Sequence, residues 1–183
     1  DDRDYKFSLP SAFLKKLPKE ASVQPLCPRI DQQGLLGSCV GQAVKATISF
    51  AHVKQNLSDP NPAALMIYYT AREMEGNIYE DVGCSIRDAL KGCAKVGVCS
   101  EKLWPYIIEK FAIRPTPECY LEAVQNKIIS YHRIIPTLTL LKGCIVEGYA
   151  FTVGIRVFEN FPMELGDIPT PKGLELGGHA VDI

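Results

Sequence analysis

The strongest constraint on the fold is a change of hydrophobic period part-way along the chain. In the first half Val40, Ala43, Val44, Thr47, Ile48 and Ala51 recur at helical spacing, and later Ile86, Ala89, Leu90 and Cys93 do the same. From residue 128 the period shortens toward two. IISYHRII (128–135) and YAFTVGIRVF (149–158) are rich in β-branched and aromatic residues and read as strands. HAVDI (179–183) reads as the start of another. Helices first and strands second is the segregated α+β pattern, not the alternating pattern of a parallel sheet. With 183 residues, 46% of them hydrophobic, the chain can fill one core or two lobes that share a cleft.

Punctuation sets the expected boundaries. Residues 1–30 carry Pro10, Pro18, Pro25 and Pro28 and read as an extended arm with one helical turn near Ala12–Lys16. A helix from Cys39 to about Lys54 has Ser38 at its N-cap. A second, Asn61–Glu75, has Asn61 as cap, Pro62 at its first position and Gly76 after its end. A third starts at Ser85, where SIRD has capping-box spacing, and closes at Gly97. SEKLWPY then delivers Trp104 and Tyr106 to a packed corner. A short helix is expected from Thr116–Pro117 through Val124, and a helix or turn over Thr139–Glu147. The segment 166–173 reads as a loop.

Net charge is −1, so no electrostatic argument favours nucleic acid or an anionic membrane as partner. No window reaches the ~20 apolar residues of a transmembrane span, and the given chain opens on no signal peptide. The seven cysteines, an odd number, leave at least one unpaired, and the six besides Cys39 permit up to three disulfides. No C-x-x-C pair occurs and histidines number three, so a metal site has no sequence support and no cofactor is expected.

The chemistry concentrates in QQGLLGSCVGQA (32–43), which places Cys39 on a glycine turn at the mouth of a helix. There the helix dipole and the unsatisfied amides of the first turn favour thiolate, the nucleophilic form. An imidazolium partner does more. His52 lies in the same expected helix, 13 residues and roughly 20 Å away, and is excluded. His132, in an expected strand, remains open. His179 follows a Gly-Gly pair at a strand entrance, where small residues allow close approach.

These segments together resemble the papain-like cysteine peptidases. Gln33-Gly34-Leu35-Leu36-Gly37-Ser38-Cys39 is similar to the family's nucleophile region, with Gln33 six residues before the cysteine, where the family has its oxyanion-hole glutamine. GGHAV resembles the family's histidine strand, and His179 lies 140 residues after Cys39, within the family's ~130–150 spacing. KVGVCSEKLWPY is similar to the segment after the third helix. The likeness runs from about Val23 to the C-terminus. It implies a two-lobed α+β fold with a helical left lobe, a β-barrel-like right lobe and the cleft between them. Residues 1–22 would form an arm or pro-like segment, 23–115 the helical lobe with the nucleophile, and 116–183 the lobe with the histidine. It implies peptide hydrolysis through an acyl-enzyme, with Cys39 as nucleophile, His179 as general base and Gln33 with the Cys39 amide as oxyanion hole. Substrate contacts would come from Gly37, Ser38, Gly83, Ala150, Phe151 and Gly178. The partners implied are a peptide or protein substrate and the chain's own arm, packed over the cleft in a latent state.

The chain also departs from the family. Leu36 stands where secreted members have a cysteine three before the nucleophile, Asp81 stands near the place of its disulfide partner, and Val40 replaces an aromatic residue. These departures point to a divergent bacterial- or viral-type branch. The family's orienting Asn motif is absent, and residues beyond Ile183 are expected to supply it. The alternatives are a non-catalytic binding protein of the same fold, or a thiol-dependent acyl transferase or amidase.

Overall fold

The computed structural model describes residues 4–162 and 167–183. In chain order its helices are α1 (Ser11–Leu14), α2 (Cys39–Lys54), α3 (Ala64–Glu75), α4 (Ile86–Lys95), α5 (Pro117–Ala123) and α6 (Leu138–Val146), followed by strands β1 (Thr152–Phe158) and β2 (Glu175–Asp182). Helical turns at Gln24–Leu26 and Ile108–Lys110 punctuate the connections.

Helix α2 is the axis of the molecule. Val40, Ala43, Val44 and Ile48 bury one face of it against Leu65, Ile67, Tyr68 and Ala71 of α3 and Ala89 and Cys93 of α4. Burying such side chains contributes roughly 1.5–3 kcal/mol each relative to exposure. The α2–α3 crossing needs Gly41, because a Cβ there would lie 2.7 Å from the Ala64 carbonyl oxygen. Strands β1 and β2 form an antiparallel hairpin, with Ile155 opposite His179 and Gly154 opposite Ala180. Ala180 joins the core of α2. Among the described residues the sheet has these two strands, so the expected barrel is represented by one hairpin.

Several boundaries follow the caps. Helix α2 has the expected span. Ser85 Oγ accepts the Asp88 amide at 3.0 Å, as the capping box requires, but the Ser85 N–H donates to Glu75 Oε1 at 2.8 Å instead of to Asp88. Gly76 ends α3 at φ +78°.

Others needed correction. Helix α3 starts at Ala64, not Asn61, because Asn61 adopts φ +43° and its carbonyl accepts the Glu101 amide, while Ala63 N–H donates to Cys99 O. Segment 128–135 is not a strand. Among the described residues its only ladder neighbour is the N-terminal arm, through a single Lys6–Arg133 bridge, and Ile129 is exposed. Extended backbone without a longer partner cannot propagate a sheet. The arm's own helical turn is α1, and Leu9 and Leu14 close over Gly143 of α6. The expected loop 166–173 is irregular from 167 onward, and Gly166 lies outside the described residues. All seven cysteines are free thiols, so no disulfide contributes to the fold.

Candidate active site

Cys39 is the first residue of α2, as the Gly-Ser-Cys turn predicts. The turn before it is held from several sides. The Leu36–Gly37 peptide is bonded at both ends. Its carbonyl accepts Gln33 Nε2 at 3.0 Å and the Ser38 amide at 2.8 Å. Its N–H, on Gly37, donates to both carboxylate oxygens of Asp81 at 3.0 Å. Gly37 has to be glycine here, since a Cβ would sit 2.9 Å from Asp81 Oδ1. Upstream, Asp31 Oδ2 lies 2.5 Å from the buried Lys45 ammonium of α2, which also pairs with Glu101.

Ser38 differs from its expected role. It occupies the N-cap, but its hydroxyl makes no bond to the helix amides. The residue is fully buried, and its Oγ lies 2.5 Å from the Tyr106 hydroxyl, which donates to Gln33 O at 2.8 Å. Bonding to Tyr106 replaces bonding to the first turn.

The wall facing this turn is residues 78–84. Arg72, fully buried on α3, donates to the carbonyls of Ile78 (2.7 Å), Glu80 (3.1 Å) and Phe111, and its guanidinium stacks on Tyr68 and Phe111. Tyr68 Oη donates to Asp81 Oδ1 at 2.6 Å and accepts the Gly83 amide at 3.2 Å. The Gly83 N–H is therefore engaged within the wall, which leaves its carbonyl as the group able to meet a substrate. Burial, then Glu75 and then Cys39, push the Cys84 thiol up to about 12, so Cys84 stays protonated while its neighbour Cys39 opens the helix.

His179 stands on β2, half-buried, and borders an open cavity of about 320 Å³ with Gly178, Gly177, Leu176, Val157 and Phe161. The hairpin is docked on α2 through Thr47, whose Oγ1 lies 2.6 Å from both Asp182 Oδ1 and Thr152 Oγ1. Thr47 is eight residues past Cys39, about 12 Å along a helix. Asp182 is three residues past His179, about 10 Å along a strand. Ala180, next to His179, packs in the cluster that holds Val40 and borders Cys39. The C-terminal end of β2 is thus anchored on the middle of α2, with His179 three residues before the anchor. Burial raises the Asp182 carboxyl to about 6, and the Thr47 hydrogen bond partly offsets that rise.

Ala150 and Phe151 lie just before β1, at the Ile183 end of the hairpin. Phe151 pairs with Ile183, four positions from the Ile155–His179 pair and roughly 13 Å away by strand rise. Gly154 stands opposite Ala180, with Ile86 of α4 approaching it. Asp81, Tyr68 and Tyr106 support the turn and the wall without a local sequence signal, because their partners lie 44, 13 and 68 residues away in sequence. His132 packs against Tyr5 of the arm, with ring centroids 5.7 Å apart.

No protein-family model matches the chain. An uncharacterized peptidase C1-like protein of Acanthamoeba polyphaga mimivirus is 37% identical over 164 residues, covering 81% of this chain and 53% of that protein. This chain therefore spans about half the length of that relative. The crystal structure of xylellain, a cysteine protease from Xylella fastidiosa, superposes with a TM-score of 0.90 at 31% identity, covering 100% of this chain and 75% of xylellain. Two more distant structures share the fold. Procathepsin B S9 of Trypanosoma congolense gives TM-score 0.75 at 16% identity over 98% of this chain and 66% of its own. Digestive procathepsin L 3 of the Tenebrio molitor larval midgut gives 0.72 at 14%, over 98% and 59%. Among the described residues no helix is long and apolar enough to cross a membrane. By its identity to xylellain over three quarters of that enzyme, and by a fold shared with the cathepsins, this chain belongs to the papain-like cysteine peptidases.

Proposed function

We propose that the protein hydrolyses peptide bonds through a Cys39 thiolate and a His179 imidazolium. The observation that carries this reading is the start of α2. Cys39 opens the helix, Gln33 is tied to the Leu36 carbonyl of the turn before it, and the strand that carries His179 docks on the same helix through Thr47, which supports the reading. In this reading residues 23–115 carry the nucleophile and 116–183 the histidine.

The chemistry follows from the atoms. The Cys39 sulfur attacks the substrate carbonyl carbon. The oxygen that gains charge is met by the Cys39 N–H, which the first turn of α2 leaves free, and by the second N–H of the Gln33 amide. Removing one such donor elsewhere costs about 10²–10³ in kcat. His179 protonates the leaving amine, then takes a proton from the water that cleaves the thioester. Gly37, Gly178 and the Gly83 carbonyl offer backbone to the substrate.

The arm is a second participant. Asp4 pairs with Arg87 at 2.5 Å, three residues past Cys84, and the Phe7 N–H donates to Arg133 O. These contacts tie the arm to the body of the protein, and in this reading it restrains entry of substrate, so removing residues 1–22 raises the rate. A fluorogenic peptide-amide library tests the whole reading. The protein should cleave peptides and Cys39→Ala should cleave none; a wild type no faster than Cys39→Ala contradicts it.

A further inference from the structure

We propose that Asp81 is a positioning residue for the oxyanion hole, acting on Gln33 through the Leu36–Gly37 peptide. The inference rests on the peptidase reading above and adds a residue to it. A peptide unit is a rigid plane, so fixing its N–H fixes the direction of its carbonyl. Here the N–H is fixed by a carboxylate, which makes stronger and more directional bonds than a neutral acceptor. The carbonyl of the same plane is the acceptor on which the Gln33 amide leans. With one Gln33 N–H taken by Leu36 O, the direction of the other is set by that plane.

Asp81 is itself held. Tyr68, buried on α3, donates to its Oδ1, and the adjacent Glu80 carbonyl accepts from buried Arg72. The chain of support runs from the α3 core to Asp81, to the Gly37 amide, to the Leu36 carbonyl and then to the Gln33 side chain. Gly37 admits the carboxylate because no Cβ stands in its way. A carboxylate placed so near a thiolate would oppose the negative charge of the nucleophile if it were free. Engaged by Gly37 and Tyr68, it spends its lone pairs on the scaffold. A site that has to hold its donors within about 0.5 Å gains from this kind of outer support.

The test is a double-mutant cycle on peptide cleavage, paired with hydrogen exchange at the Gly37 amide. Asp81→Ala should lower kcat about 10–100-fold with KM within about threefold, because the loss is specific to the transition state. In a Gln33→Ala background the same change should cost less than about threefold, since the group it positions is gone. Asp81→Asn, which keeps an acceptor and the shape, should recover part of the rate. Exchange of the Gly37 amide should speed up by about tenfold or more in Asp81→Ala. Equal losses in both backgrounds, a change in KM alone, or unchanged exchange at Gly37 would each overturn the proposal. A wild type that cleaves peptides alongside an equally active Asp81→Ala defeats the clamp alone. A wild type that cleaves no peptide defeats the peptidase reading, and the positioning role with it.

Discussion

Cys39 and Gln33 sit in a turn tied down by Asp81, Tyr106, the Gln33–Leu36 bond and the Lys45 ion pairs, whereas His179 stands on a two-stranded hairpin flanked by exposed Gly177, Gly178, Leu174 and Leu176. The nucleophile side is organised by buried polar bonds to a helical core. The histidine side depends on how the hairpin docks on α2 through Thr47, Thr152 and Asp182.

The largest expected effect probes both sides at once. Gln33→Ala should lower kcat on a peptide amide by about 10²–10³, and His179→Ala by at least as much, while far-UV circular dichroism stays unchanged. A Gln33→Ala variant with wild-type kcat would remove the nucleophile side from the account. Next, Arg72→Met strands the carbonyls of Ile78, Glu80 and Phe111 and should cost about 3–5 kcal/mol in urea unfolding. A loss below ~1 kcal/mol would mean that the wall is not organised from α3.

The hairpin side predicts a pH effect. The folded Asp182 titrates at about 6, above its unfolded value near 3.8. The folded state thus holds the extra proton between those values, and stability falls as pH rises through that window. Asp182→Asn removes this dependence and should gain roughly 1–3 kcal/mol at pH 7 relative to wild type. Urea midpoints at pH 4, 5, 6 and 7 check the sign. A wild type whose stability from this residue rises across the window would refute the burial argument. The smallest effect is expected from Ser38→Ala, about 1 kcal/mol of stability and less than about threefold in kcat/KM, since the hydroxyl serves Tyr106.

Much of this was legible locally. Ser85 and Asp88 announce α4, Gly76 announces the end of α3, and Cys39 announces α2, because capping and left-handed termini are decided within a few residues. What could not be read depended on distant partners. Ser38 has cap chemistry, but a tyrosine 68 residues away takes its hydroxyl. Residues 128–135 have strand composition, but strand identity needs a neighbour, and among the described residues the arm alone bridges to them. Asp81 reads in sequence as a missing cysteine; in the fold it is the acceptor for Gly37. The hairpin register, with Ile155 opposite His179, is likewise invisible until β2 is paired.

The central claim is that Cys39 is a nucleophile paired with His179. Alkylation by iodoacetamide at pH 6, with the modified residue mapped by mass spectrometry, tests it most directly. The account predicts modification of Cys39 about tenfold or more faster than free cysteine, with that excess lost in His179→Ala. Cys39 labelled no faster than free cysteine, or equally fast without His179, would contradict it.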